Sequence, residues 1–111
     1  MLTLSACLGL KELPVSIVKL GKLEYLDISL CECLRKLPEE MGNLGNLKEL
    51  DMRECSQLRK LPKSIGRLTS LKHVICDEKI GQQWMDVKIS AIINLRVDVV
   101  EEHFNLDWLD D

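Results

Sequence analysis

Aromatic side chains are nearly missing from this chain. Tyr25, Trp84, Phe104 and Trp108 are the only four in 111 residues, so leucine and its aliphatic relatives must supply the buried surface. Histidine is as scarce, with only His73 and His103, which leaves little for general-base chemistry or zinc ligation. No apolar run approaches the roughly 20 residues that cross a bilayer, so direct membrane insertion is not expected. The opening Met1-Leu-Thr-Leu-Ser-Ala-Cys7 has neither the basic end nor the apolar stretch of a secretory leader. A basic excess is missing too: 15 Lys and Arg face 18 Asp and Glu, which argues against a nucleic-acid partner. The balance is uneven along the chain. Residues 1–75 carry 12 basic and 9 acidic side chains, and residues 76–111 carry 3 and 9. The cysteines Cys7, Cys31, Cys33, Cys55 and Cys76 are odd in number and nothing points to an oxidising compartment, so free thiols in a cytoplasmic chain are expected. The length suits one domain.

What is present is repetition. Leu13-Pro14, Leu37-Pro38 and Leu61-Pro62 recur in steps of 24 residues. The same step links Leu23, Leu47 and Leu71, then Leu2, Leu26, Leu50 and Val74, then Leu4, Ile28, Met52 and Cys76, then Leu10, Leu34 and Leu58. Even the cysteines Cys7, Cys31 and Cys55 fall in one column. Each unit reads L-x-x-L-x-L-x-x-C-x-x-L-x-x-L-P-x-x-I-G-x-L, seen best over Leu23 to Leu44 and Leu47 to Leu68. A fixed period between 20 and 29 residues with leucine columns is the mark of a leucine-rich-repeat solenoid, an α/β fold of parallel strands and short helices wound right-handed. The L-x-L portion predicts a short strand whose alternate side chains enter the core. The small cysteine suits the following corner, where its thiol exchanges hydrogen bonds with turn backbone. The segment after Leu-Pro has room for one or two helical turns, with Ser64 and Glu39–Glu40 suited to a helix start and Gly42 and Gly66 to a turn.

The columns fail after Cys76, where positions 79, 82 and 85 hold Lys, Gln and Met. Trp84, Val87, Ile89, Ile92 and Ile93 recur at helical spacing over Gln82 to Ile93, and 94–100 then alternates like a last strand. The reading is therefore about three repeat units over 1–76, without an N-terminal cap, and a C-terminal helix-strand cap with an acidic tail over 77–111. Phe104, Leu106, Trp108 and Leu109 are expected to fold back, leaving Asp107, Asp110 and Asp111 solvated. Leu2 and Leu4 already occupy strand columns, so the first unit is expected to present an open edge, either the continuation of a larger receptor or a point of self-association.

The L-P-x-x-I-G form of the repeat, as opposed to the G-x-I-P of plant cell-surface receptors, resembles the leucine-rich region of plant nucleotide-binding immune receptors. Asp51-Met-Arg-Glu-Cys55, Leu71-Lys-His-Val-Ile-Cys-Asp77, Trp84 and the ending Phe104-Asn-Leu-Asp-Trp-Leu-Asp110 resemble the C-terminus of the helper class of those receptors, the activated-disease-resistance type. The resemblance implies a protein-recognition module of intracellular innate immunity. It also implies partners among upstream receptor domains or lipase-like signalling proteins, and no cofactor. The chain departs from the family in having no G-x-x-x-x-G-K-[ST], so nucleotide binding does not carry over.

Two surfaces follow from the register. Between the inward leucines the columns Tyr25, Glu49, His73, then Thr3, Asp27, Asp51, Ile75, then Ser5, Ser29, Arg53, Asp77 are expected to point to solvent on the concave sheet. A tyrosine, an arginine and a histidine among carboxylates suit a partner-anchoring face, against the alternative of a solvated charge ladder. Asp27 stacked on Asp51 is repulsive unless Arg53 or Lys48 compensates. The second surface is a basic stripe, Lys11, Arg35-Lys36 and Arg59-Lys60. It suits an acidic domain or the acidic cap of a neighbour, against the alternative of a solubilising rim. Catalysis and metal binding are disfavoured: the cysteine column faces inward, His73 faces away from Cys55, and Cys31-x-Cys33 has no second pair. An intracellular Ras-associated type of leucine-rich scaffold shares L-P-x-x-I-G and stands as an alternative, as does a non-functional receptor fragment.

Overall fold

The computed structural model describes residues 1–100. Five parallel strands, β1 (Leu2–Thr3), β2 (Tyr25–Asp27), β3 (Glu49–Asp51), β4 (His73–Asp77) and β5 (Arg96–Val100), form one sheet in chain order. The leucine columns set the register. Leu2 lies opposite Leu26, Leu26 opposite Leu50 and Leu50 opposite Val74. A one-residue slip would turn every inward side chain to the other face, and the burial of Leu26, Leu50 and Val74 resists it. Pairing continues past the strands, with the N–H groups of Leu4, Ile28 and Met52 donating to the carbonyls of Asp27, Asp51 and Ile75 at 2.7–2.8 Å.

Between strands the chain repeats one set of turns. The proline carbonyls of Pro14, Pro38 and Pro62 accept from the N–H of Ile17, Met41 and Ile65, opening short 3-10 helices at Val15–Lys19, Met41–Asn43 and Lys63–Arg67. Proline suits that place because it has no N–H to lose and its φ is already helical. The helix-start role expected of Ser64 is corrected: it lies inside its 3-10 helix, and none of these helices has a side-chain cap. Its hydroxyl instead donates to the Glu39 carbonyl at 2.6 Å and accepts from the Gly42 N–H at 2.9 Å, tying two units together. Gly42 and Gly66 likewise lie within these helices with ordinary negative φ. Gly42 is required for space, since a Cβ there would collide with the Ser64 carbonyl.

The left-handed positions are elsewhere. Ala6, Leu30 and Glu54, one column before the cysteines, have φ of 61°, 61° and 55°. This kink lets the chain leave the strand and turn over the core while the N–H groups of Ala6 and Leu30 still reach the Ser29 and Arg53 carbonyls. The cysteines then behave as the corner demands: Cys31 Sγ donates to the Leu4 carbonyl at 3.1 Å and Cys55 Sγ to that of Ile28 at 3.0 Å. All five thiols are free.

After β4 the chain enters α1 (Glu78–Ser90). The expected span, Gln82 to Ile93, was placed too late. Acidic Glu78 in the first turn favours an early start, and Ala91, with φ −138°, stops the helix before Ile93. Trp84 and Ile92 are buried, Val87 is half-buried, and Ile89 and Ile93 are exposed rather than on the core side. Trp84 is fully enclosed, and its indole N–H points at Met52 Sδ, 3.2 Å away. One continuous apolar cluster runs from Leu13 to Leu95, so α1 packs on the same core as the repeats. At the other end Leu2 and Leu4 are half-buried and Leu20 is exposed, although its column-mates Leu44 and Leu68 are fully buried. Residues His103, Phe104, Leu106, Asp107, Trp108, Leu109, Asp110 and Asp111 lie outside the described residues.

Candidate protein-binding face

The polar columns stand side by side on the sheet as the register requires. Tyr25, Glu49 and His73 are successive partners, and so are Asp27, Asp51 and Ile75. Their exposure, however, differs from expectation. Ser29, Asp51 and Asp77 are buried, at 5%, 3% and 5% exposure; Tyr25, Asp27, Glu49, His73 and Ile75 are half-buried; Arg53 and Thr3 are exposed. The correction has a physical cause, because these polar groups serve the turns at the strand ends. Asp27 Oδ1 accepts from the Ser29 N–H at 2.9 Å and Asp51 Oδ1 from the Arg53 N–H at 3.2 Å, both two residues on, which is the local bond aspartate makes in turns. Asp77 Oδ1 accepts from the Glu54 N–H at 2.9 Å, taking the place of the carbonyls that serve Ala6 and Leu30. Ser29 and Ser5 share a hydroxyl bond at 3.0 Å.

The Asp27 and Asp51 carboxylates are separated chemically. Arg53 clamps Asp51 through Nε at 3.0 Å and Nη2 at 2.8 Å, a two-pronged geometry that only a guanidinium offers. The carboxylate raises the Arg53 pKa in turn. Lys48, the other expected compensator, pairs with Glu24 at 2.9 Å instead, and that contact lowers the Glu24 pKa. Tyr25 sits beside the acids. Burial raises its phenol pKa, and Asp51, Asp27 and Glu49 push it further, so it stays a neutral donor.

A cluster that sequence reasoning missed closes the face at β5. His73 Nε2 lies 2.6 Å from Asp98 Oδ2, which Arg96 Nη2 approaches at 3.2 Å. The hydrogen bond to His73 is the main cause lowering the Asp98 pKa, with Arg96 adding to it. The alternation of Arg96-Val-Asp-Val was the available signal. The obstacle was register: His73 pairs with Arg96, a step of 23, so a count of 24 misplaces the column by one.

The basic stripe is exposed throughout: Lys11, Arg35, Lys36, Arg59 and Lys60 all face solvent. Glu12 and Lys36 form an isolated parallel bridge and an ion pair at 3.6 Å. Cys31 and Cys55 are buried, Cys33 is exposed, and burial raises the Cys55 and Cys76 thiols to about 12, so both stay protonated and poor as nucleophiles. Among the described residues no group of three or more His, Cys, Asp or Glu is placed to hold a metal ion, and no helix is long and apolar enough to cross a membrane.

A family model described as a leucine-rich repeat region matches residues 1–98. Among curated proteins nothing matches the chain.

Proposed function

The chain belongs to the leucine-rich repeat family, and on that premise we propose that it is a non-enzymatic protein-recognition module whose partner docks on the polar face of the sheet. The observation that carries this reading is the state of that face. Tyr25 on β2, His73 on β4 and Arg96 on β5 share the sheet with Arg53, which follows β3, and Arg53 and His73 are already paired with Asp51 and Asp98. Side chains locked before binding lose little freedom when a partner arrives, and Tyr and Arg dominate interface energetics. The 24-residue columns support a right-handed solenoid of about three units over 1–76 with a cap over 77–111.

The finer reading is a module of plant intracellular immunity, acting in the cytoplasm as the tail of a disease-resistance helper receptor. It rests on Asp51-Met-Arg-Glu-Cys55, Leu71-Lys-His-Val-Ile-Cys-Asp77 and the Phe104 to Asp110 ending. Its partners would be upstream receptor domains or lipase-like signalling proteins. The test is a titration of purified lipase-like immune proteins against the chain and against Tyr25→Ala, Arg53→Ala, His73→Ala combined. Binding weakened by about a hundredfold is expected from three interface anchors. Unchanged affinity refutes the face, and no binding to the parent chain refutes the named partners.

A further inference from the structure

The last repeat unit and the cap do not meet flush, and the reason is one missing residue. The bond that closes each turn runs from the N–H of Leu23, Leu47, Leu71 and Leu95 to the carbonyl three residues back, so Leu95 stands in the leucine column at a full step of 24. On the strand the step is 23, because His73 pairs with Arg96. The lost position therefore falls between Leu95 and Arg96, and in the repeats it is held by Glu24, Lys48 and Lys72. Lys72 is the end of that column. The Glu24 carbonyl accepts from the N–H groups of both Lys48 and Glu49, and the Lys48 carbonyl from those of Lys72 and His73, whereas among the described residues the Lys72 carbonyl accepts from Arg96 alone.

A cleft of about 500 Å³ opens at the gap, with Lys48, Thr69, Ser70, Lys72, Ala91 and Ile93 in its lining and no carboxylate. Lys48 is already engaged by Glu24 at 2.9 Å, and Lys72 makes no ion pair among the described residues. Ile93 occupies the column of Gly21, Gly45 and Thr69, where the repeats keep a small or polar residue, and it is 75% exposed. A cation short of a counter-ion, two hydroxyls and an uncovered aliphatic side chain in one concave site suit a ligand that joins a carboxylate to an aliphatic group. We propose that the cleft is a second docking site, at the edge where the chain enters β4 and β5, for an acidic-aliphatic peptide segment of a partner protein. Its carboxylate lies on Lys72 and the hydroxyls of Thr69 and Ser70, and its aliphatic side chain on Ile93 and Ala91. The site is independent of the polar sheet face, which uses none of these residues.

The test is nitrogen-15 amide mapping of the full chain with an acetylated, amidated tetrapeptide that alternates glutamate and leucine, read beside its glutamine-leucine counterpart. Saturable changes are expected at Thr69, Ser70, Lys72, Ile93 and Asn94, with Tyr25 and Arg53 silent. Exchanging glutamate for glutamine removes an exposed ion pair and should weaken binding about threefold, and Lys72→Ala should do the same while Lys72→Arg binds as the parent does. Ile93→Ser should weaken it roughly fivefold through lost apolar contact. Both positions are exposed, and circular dichroism confirms that each variant is folded. Equal affinity for the two peptides, indifference to either Lys72→Ala or Ile93→Ser, or no saturable change at the cleft would overturn the proposal. Changes on the sheet face instead would overturn it too, while leaving the proposed function standing. Cleft signals that move with protein concentration before peptide is added would assign the cleft to a second copy, and peptide-induced changes at Asp107, Asp110 or Asp111 would assign it to the chain's own tail; either result refutes a partner's segment.

Discussion

Glu54→Gly should stabilise this protein, although it deletes a side chain. Glu54 has φ 55°, where its Cβ crowds the following carbonyl at a cost of about 1–2 kcal/mol. Its side chain is exposed and its N–H already bonds Asp77, which glycine preserves. Against the relief stands the extra freedom glycine gives the unfolded chain, about 0.5–1 kcal/mol. The net gain is about 0.5–1 kcal/mol, which raises Tm by roughly 2–6 °C in a domain of this size. Glu54→Ala removes the same carboxylate but keeps the Cβ, so it serves as the control and should gain nothing. Thermal unfolding followed by circular dichroism compares the three proteins. If Glu54→Gly melts at or below the parent temperature, or if alanine matches glycine, the left-handed column is not a source of strain.

Asp51→Ala should cost about 2–3 kcal/mol in urea unfolding, because a buried carboxylate holding a guanidinium and a backbone N–H disappears; Asp27→Ala, half-buried and without a cation, should cost about 1 kcal/mol. Trp84→Ala should cost about 3–5 kcal/mol and lower the melting temperature more than any single exposed substitution on α1. Because burial raises the Cys55 and Cys76 pKa from 9.0 to about 12, the unfolded chain loses these protons first, and their stabilising contribution is complete below pH 9 and falls as pH climbs toward 12. The slope of stability against pH in that window should be shallower in Cys55→Ala with Cys76→Ala. In the native protein a thiol reagent should label exposed Cys33 well before either buried residue.

How much could be read in advance depended on whether a feature repeats. Leu26, Leu50 and Val74 announce the strand register because an inward apolar residue in each unit leaves one pairing that buries them all. The cysteine column was legible for the same reason, although the carbonyls that receive the Cys31 and Cys55 thiols belong to the preceding unit rather than to the cysteines' own turn. The left-handed column was not, because Ala6, Leu30 and Glu54 are residues that ordinarily avoid that conformation, and neither glycine nor asparagine marks the place. On the candidate face, the positions of Tyr25, Glu49 and His73 followed from spacing, but the burial of Asp51 and Asp77 did not. Counting along the chain gives a side chain's direction; it does not reveal that a turn needs the carboxylate. Where the repeat ends, the 23-residue step hid the pairing of His73 with Asp98, since columns extrapolate only while the loop length is constant.

Recognition of another protein is assigned here to the polar face of the sheet. Amide chemical-shift mapping of the labelled chain during titration with a lipase-like immune protein tests it most directly. Changes should concentrate at Tyr25, Glu49, Arg53, His73 and Asp98, across neighbouring strands. Changes confined to α1 or to the 3-10 helices, with those residues silent, would contradict it.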